Sequence, residues 1–266
     1  MIKALVSIEI DLASSMAVRL ACQLGGLMEM EIQPVYVREA APLDAAIGAG
    51  WASRTWEREM IEQGKAEISE LLKSEMDFCP VLREPKVIYG DKDAELLKIT
   101  HDEPFDLYLE GVHFPWTTAD LYKSLHAKLH QRLPAPLVLV RTLRKINEVA
   151  VLCLDVRGTQ TLVNAFQTIW KDSPVPVTLA YPSAETTGSA NDGLAQAVEQ
   201  AKRALEAAGC SVSTMATLSA SPTREAEEVL DNYALVALAV ERSIKKEGPE
   251  LQWLHLVKTA ALLAFH

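Results

Sequence analysis

The run Ala4-Leu5-Val6-Ser7-Ile8-Glu9 decides the fold, because it occurs twice. Its echo is Ala150-Val151-Leu152-Cys153-Leu154-Asp155. Each is a short apolar stretch that ends on an acid. An apolar run with no polar alternation reads as a strand buried on both faces, as in a parallel sheet. Each then passes through small polar residues into a helical pattern. In the first copy Ser14 and Ser15 precede Met16, Ala17, Leu20, Ala21 and Leu24, which share one helical face. In the second, Thr159 or Thr161 precedes Leu162, Ala165, Phe166 and Ile169. Hydroxyls at these positions are expected to cap the helix starts, since they accept from N–H groups that the first turn leaves free.

The repeat continues in register. A second strand spans Glu31 to Val37 in one copy and Val175 to Tyr181 in the other. Long Glu-, Lys-, Ala- and Leu-rich helices follow, Trp56 to Met76 and Leu194 to Ala208. A third strand (Pro85 to Tyr89; Ser211 to Leu218) leads to a short helix (Ala94 to His101; Thr223 to Asp231) and a fourth strand (Asp106 to Glu110; Ala234 to Val240). In the first copy one helix over Asp120 to Arg132 precedes a fifth strand, Leu137 to Arg141; the partner strand, Ala260 to Phe265, closes the second copy. Alternating strand and helix argues for parallel sheets covered on both faces. The expected division is 1–144 and 145–266, with a joint near Leu143 to Asn147. The stretches Glu39 to Arg54 and Pro182 to Asp192 read as surface loops.

Composition bounds the rest. The 266 residues are 49% hydrophobic, ample for a packed core. The net charge is −10, shared as −5 over residues 1–145 and −5 over 146–266, so sequence-independent binding to a phosphate backbone is not expected. The longest purely apolar run is the seven residues from Ala234 to Val240, far short of the roughly 20 that span a bilayer. The N-terminus reaches Glu9 too early for a signal peptide's apolar region. The expectation is a soluble, cytoplasmic protein without nucleic-acid or membrane partners. Cys22, Cys79, Cys153 and Cys210 are scattered and form no C-x-x-C pair, so reduced thiols are expected rather than a disulfide framework or a zinc site.

The order of elements, and the residues at the turns, resemble the universal stress protein family, and more narrowly a tandem member with two such domains. The resemblance covers nearly the whole chain. It is most specific in Asp106-Leu107-Tyr108-Leu109-Glu110-Gly111, in Ser124-Leu125-His126-Ala127-Lys128-Leu129, and in Leu133-Pro134-Ala135-Pro136-Leu137-Val138-Leu139-Val140-Arg141. Tyr89-Gly90-Asp91 followed by Ala94-Glu95-Leu96-Leu97 resembles the family's third strand and the turn after it. The second half matches order and spacing but few motif residues. The resemblance implies two flavodoxin-like (Rossmann-like) doubly wound five-stranded parallel sheets, strand order 3-2-1-4-5, with a ligand crevice beyond strands 1 and 4, where the order reverses.

ATP-binding members of that family place an acid at the end of strand 1. After strand 4 they carry Gly-x-x-Gly, nine residues, then Gly-Ser or Gly-Thr. Glycines let backbone N–H groups approach phosphate, and the hydroxyl adds a donor. Here the set is broken. Glu9 is the strand 1 acid and Gly111 fits the first glycine. The second glycine's position falls on Phe114, beside Pro115 and Trp116. Counting back from Pro134 and Pro136 puts Ser124 at the hydroxyl position and Lys123 where a glycine belongs, in a loop one residue short. In the second half Asp155 fits the strand 1 acid, but Glu241-Arg242-Ser243-Ile244-Lys245-Lys246 follows strand 4, with no glycine before Gly248. ATP or AMP binding is therefore expected to be lost or weakened in the first half and absent in the second. The alternative is a nucleotide-binding or weakly hydrolysing protein that uses Glu9 or Asp155 with Ser124, Lys123 supplying charge to a phosphate.

Other candidates are weaker. His126 and His130 lie four apart on the predicted last helix, a spacing that can hold a metal, but no third ligand is evident and no metal site is expected. Trp51, Trp56, Phe114 and Trp116 are expected to cover the end of the sheet. No nucleophile–base order stands out, and Asp155, at a strand's carboxyl end, reads as a helix cap or ligand contact rather than a catalytic acid. The resulting expectation is a non-enzymatic stress-response or regulatory protein, with no bound cofactor. Its two domains would pack as an internal pseudo-dimer through the fifth strands, which hides two apolar edges, and a homodimer is the further possibility.

Overall fold

The structure is a computed structural model that describes residues 1–39, 51–183 and 190–266. The first half runs β1 (Ile2–Ile8), α1 (Leu12–Gly25), β2 (Met30–Glu39), α2 (Trp51–Met76), β3 (Lys86–Gly90), α3 (Lys92–Asp102), β4 (Leu107–Gly111), α4 (Thr118–Leu125), α5 (Lys128–Arg132) and β5 (Leu137–Val140). The second half runs β6 (Val149–Leu152), α6 (Val156–Ile169), β7 (Val177–Pro182), α7 (Ala190–Ala207), β8 (Val212–Leu218), α8 (Arg224–Leu230), β9 (Leu235–Val240), α9 (Pro249–Leu256) and β10 (Ala260–Phe265).

The strands form one sheet in the order β3-β2-β1-β4-β5-β10-β9-β6-β7-β8. Within each half the order is 3-2-1-4-5 and every pairing is parallel. The halves meet where β10 runs antiparallel to β5, Ala260 opposite Val140 and Leu263 opposite Leu137. The expected five-stranded arrays are present, and they are fused edge to edge. Because the central seam is antiparallel, the carboxyl ends of the two arrays face opposite rims of the sheet.

Helices cover both faces, so two cores form. One contains Ala4, Val6 and Ile8 of β1 with Leu20 of α1, and continues into Val151, Phe166 and Trp170 of the second half. The other contains Leu5, Tyr108, Leu121 and Leu129, and continues into Leu238, Trp253 and Leu263. Successive strand residues point to opposite faces, which is why Leu5 and Val6 lie in different cores.

Four local readings are corrected. Helix α1 is capped by Asp11, whose carboxylate accepts the Ser14 N–H at 2.8 Å; buried Ser14 instead turns its hydroxyl back to accept the Glu9 N–H, also at 2.8 Å. Helix α6 is likewise capped by Asp155, which accepts the Gly158 N–H at 2.7 Å, while the Thr159 hydroxyl donates to the Asp155 carbonyl. In both halves a carboxylate three residues after the strand outcompetes the hydroxyls further on. The single helix over Asp120 to Arg132 is two helices, broken at His126 and Ala127, where Ala127 is extended (ψ 144°). Helix α9 was not foreseen; it starts at Pro249, a residue well suited to a first helical position because its missing N–H is not needed there.

The fourth correction concerns the thiols. Cys22 on α1 and Cys79, just past α2, form a disulfide with Cα atoms 5.5 Å apart. They stand 57 residues apart in sequence, and the packing of α1 beside α2 brings them together. Cys153, in its apolar run, is free and buried, and so is Cys210. Among the described residues no helix is long and apolar enough to cross a membrane, and no cluster of three metal-ligating side chains occurs.

Candidate functional site

The switch point of the first half lies beyond the carboxyl ends of β1 and β4. Register puts Ser7 opposite Glu110 there, on the same face as Tyr108. Glu110 is an acid in an otherwise apolar strand and needs a partner to be buried. It finds His130 on α5, Nε2 to Oε1 3.0 Å. His130 is 4% exposed, and its Nδ1–H donates to the Ser124 carbonyl at 2.8 Å. A carbonyl can only accept, so Nδ1 carries a proton; with Nε2 facing a carboxylate, the ring is an imidazolium donating at both ends. Burial favours the neutral forms of both groups, but their mutual attraction prevails. Glu110 is held below the usual carboxylate range by His130, with help from Lys92 and His113, and His130 is held above its ordinary value by Glu110.

This geometry excludes one tempting chemistry. Ser124 Oγ, His130 and Glu110 line up as a nucleophile, base and acid would, with Oγ 3.4 Å from Nδ1. A base must take the hydroxyl proton, and Nδ1 is already protonated and donating to Ser124's own carbonyl. The row is a structural brace.

Further ion pairs border the crevice. Glu9 pairs with Lys92, the first residue of α3. Burial opposes the Lys92 charge, but the hydrogen bond and charge of Glu9, with Glu110 and Glu39 nearby, hold its pKa above the ordinary value. Asp11, while capping α1, accepts from His113 Nδ1 at 2.6 Å, so the loop after β4 is tied across to the loop after β1. Tyr108 points its hydroxyl at Glu110 Oε2, 3.4 Å away; burial pushes this phenol well above its ordinary value, so it stays a neutral donor.

The five residues singled out from the sequence are thus dispersed. Glu9 sits at the crevice mouth in its pair with Lys92. Gly111 ends β4, where a Cβ would lie 2.2 Å from the carbonyl carbon and oxygen of Ala13. The glycine is explained by the close approach of α1. Lys123 is exposed and Ser124 half-buried in the last turn of α4, where the helix presents carbonyls rather than the N–H groups that hold anions. Asp155 lies on the other rim as the α6 cap, beside a cavity of about 270 Å³ bordered by Leu154, Ser183, Glu250 and Trp253. Structure brings none of Gly111, Lys123 and Ser124 to Asp155's site.

His126 and His130 do not share a face. The helix break leaves His126 exposed, its ring 4.1 Å from that of Tyr122, while His130 turns inward. Trp116 is buried, as its covering role requires: its Nε1–H donates to the Leu254 carbonyl at 3.1 Å, and His255 Nδ1 donates to the Trp116 carbonyl at 2.7 Å. Arg141 lies over the indole, 5.6 Å from its centroid. Phe114 stacks alongside at 6.3 Å, half-buried, and Trp56 is partly exposed. The side chain of Trp51 lies outside the described residues. On the opposite rim Arg242, just past β9, donates to the carbonyls of Gln131 and Leu133 at the end of α5, at 2.6 and 2.8 Å. Sequence reasoning missed Glu110 and Arg242. The available signal for Glu110 was a carboxylate inside an apolar strand.

Two doubly wound arrays, each with its switch point between its first and fourth strands, define a tandem α/β protein. Comparison with solved structures sharpens the class, and the fold is that of the universal stress proteins. A universal stress protein from Archaeoglobus fulgidus superposes over 99% of this chain and 96% of its own, with TM-score 0.66 at 12% identity. A Pseudomonas aeruginosa chain described as a universal stress protein gives TM-score 0.55 at 14% identity, over 99% of this chain and 92% of its own. The cytoplasmic domain of a prokaryotic cation chloride cotransporter gives TM-score 0.52 at 8% identity, over 98% and 94%. No protein-family model and no curated protein matches the sequence.

Proposed function

We propose that this chain is a non-catalytic regulatory protein of the universal stress protein type. Its domains, residues 1–144 and 145–266, work as an internal pseudo-dimer through β5 and β10, and nucleotide binding is lost or much weakened. One observation carries the reading: the charged groups around the first crevice are paired with one another. A triphosphate needs free N–H donors and cations. Here the carboxylates of Glu9, Asp11 and Glu110 face the space, and Lys92, His113 and His130 are each engaged by one of them. Admitting a phosphate would break those pairs and bring like charges together. Occurrence of the same fold as the cytoplasmic domain of a cotransporter is in keeping with a role that needs no reaction of its own.

Calorimetric titration with ATP and with AMP tests this. The expected result is no binding in the micromolar range and no difference between the protein and its Ser124→Ala variant. Micromolar ATP affinity that Ser124→Ala abolishes would replace this reading with a nucleotide-binding one.

A further inference from the structure

The Cys22–Cys79 disulfide is unevenly exposed. Cys79 is 3% exposed and belongs to the core beneath α1 and α2. Cys22 is half-buried and lines an open cavity of about 470 Å³ together with Gln23, Leu27, Leu143, Arg144 and Lys145. The open cavity meets Cys22 and not Cys79. The cavity wall is apolar, carries two cations and includes no carboxylate. Arg144 is committed to Asp231 at 3.0 Å; Lys145 is exposed and makes no ion pair among the described residues. The cavity floor also includes the joint between the halves: Gln23, next to Cys22, accepts the Ile146 N–H at 3.0 Å.

We propose that Cys22 is a site of reversible thiol modification, where an anionic low-molecular-mass thiol enters this cavity and opens the disulfide as a mixed disulfide on Cys22. The entering thiolate forms a bond to Cys22 Sγ as the bond to Cys79 breaks. The electron pair leaves on Cys79 Sγ, which takes up the proton released when the entering thiol ionised. A second equivalent of the same thiol attacks the outer sulfur and leaves Cys22 reduced, so the external thiols supply both electrons as their own disulfide. Positive charge at the mouth selects for an anion. Cys153 and Cys210 do not compete, because as free thiols they offer the entering thiol no disulfide bond to open; both are buried, which also pushes them up, Cys153 to about 12. Opening the bond removes the covalent tie between α1 and the end of α2, where apolar packing and the Arg19–Glu75 pair remain.

Mass spectrometry of protein purified without reductant is the test. Alkylation in denaturant should label two thiols, Cys153 and Cys210. Treatment with glutathione should add one adduct, on Cys22. Glutathione, an anion, should react about tenfold faster than cationic cysteamine, and Lys145→Glu, which leaves the disulfide and the fold intact, should remove that preference. Four labelled thiols at the outset, an adduct on Cys79, or equal rates for the two probes would each overturn the proposal.

Discussion

Position 111 shows how one residue type can carry two meanings. As a motif glycine it suggested a phosphate loop; in the fold it is the gap into which the backbone of Ala13 fits. Gly111→Ala should therefore cost about 3 kcal/mol, at the upper end of overpacking effects because the obstacle is backbone rather than a movable side chain. Denaturant melts measure it. Glu110 and His130 carry a pH signature. Glu110 is depressed below 4.5, so its contribution to stability is present above that value and fades as pH falls through the folded pKa. His130 is raised above 6.5, so its contribution is present below that value and fades as pH rises through its folded pKa. Thermal melts should show the pair's stabilisation greatest between these ordinary values. Glu110→Gln should flatten both limbs and lower the maximum by about 3 kcal/mol, since it leaves a buried charge unpaired.

At the scale of elements, the two halves repeat a device: an acid after the first strand caps the next helix. Asp155 does little else, so Asp155→Ala should cost about 1 kcal/mol. Asp11 also holds His113 across the crevice, and Asp11→Ala should cost more than its counterpart and loosen the loop after β4. Hydrogen exchange at Val112 to Thr117 reads the second effect. Strand and helix order was legible because strands buried on both faces read as unbroken apolar runs, Leu235–Val240 being the clearest. Boundaries and caps were less legible, since Asp11 and Ser14 are both competent caps by type and geometry chose between them. The break at Ala127 was hidden because its neighbours Leu125 and Leu129 keep helical spacing across it.

For the whole molecule the decisive contact is the antiparallel seam. Strands β5 and β10 are fully apolar and, but for the half-buried Phe265, buried, and each would be an open edge without the other. Trp116 on one rim and Arg242 on the other brace the seam across the halves. Residues 1–144 expressed alone should therefore self-associate through β5, giving a dimer by light scattering, whereas the full chain keeps that edge covered. A monomeric first half would show that the seam does not protect the edge.

By itself the sequence determined the repeat, the succession of strands and helices and the apolar edges, because parallel strands and amphipathic helices write their burial into residue patterns a few positions long; the spatial order of the strands followed only from the family resemblance. It also showed that the nucleotide motif is broken. Only the tertiary structure decided what stands in its place. The pairs Glu110–His130 and Glu9–Lys92 and the bond between Cys22 and Cys79 join residues from 20 to 83 positions apart. Partnership over such distances is set by which helix lands on which strand, and no local pattern records it.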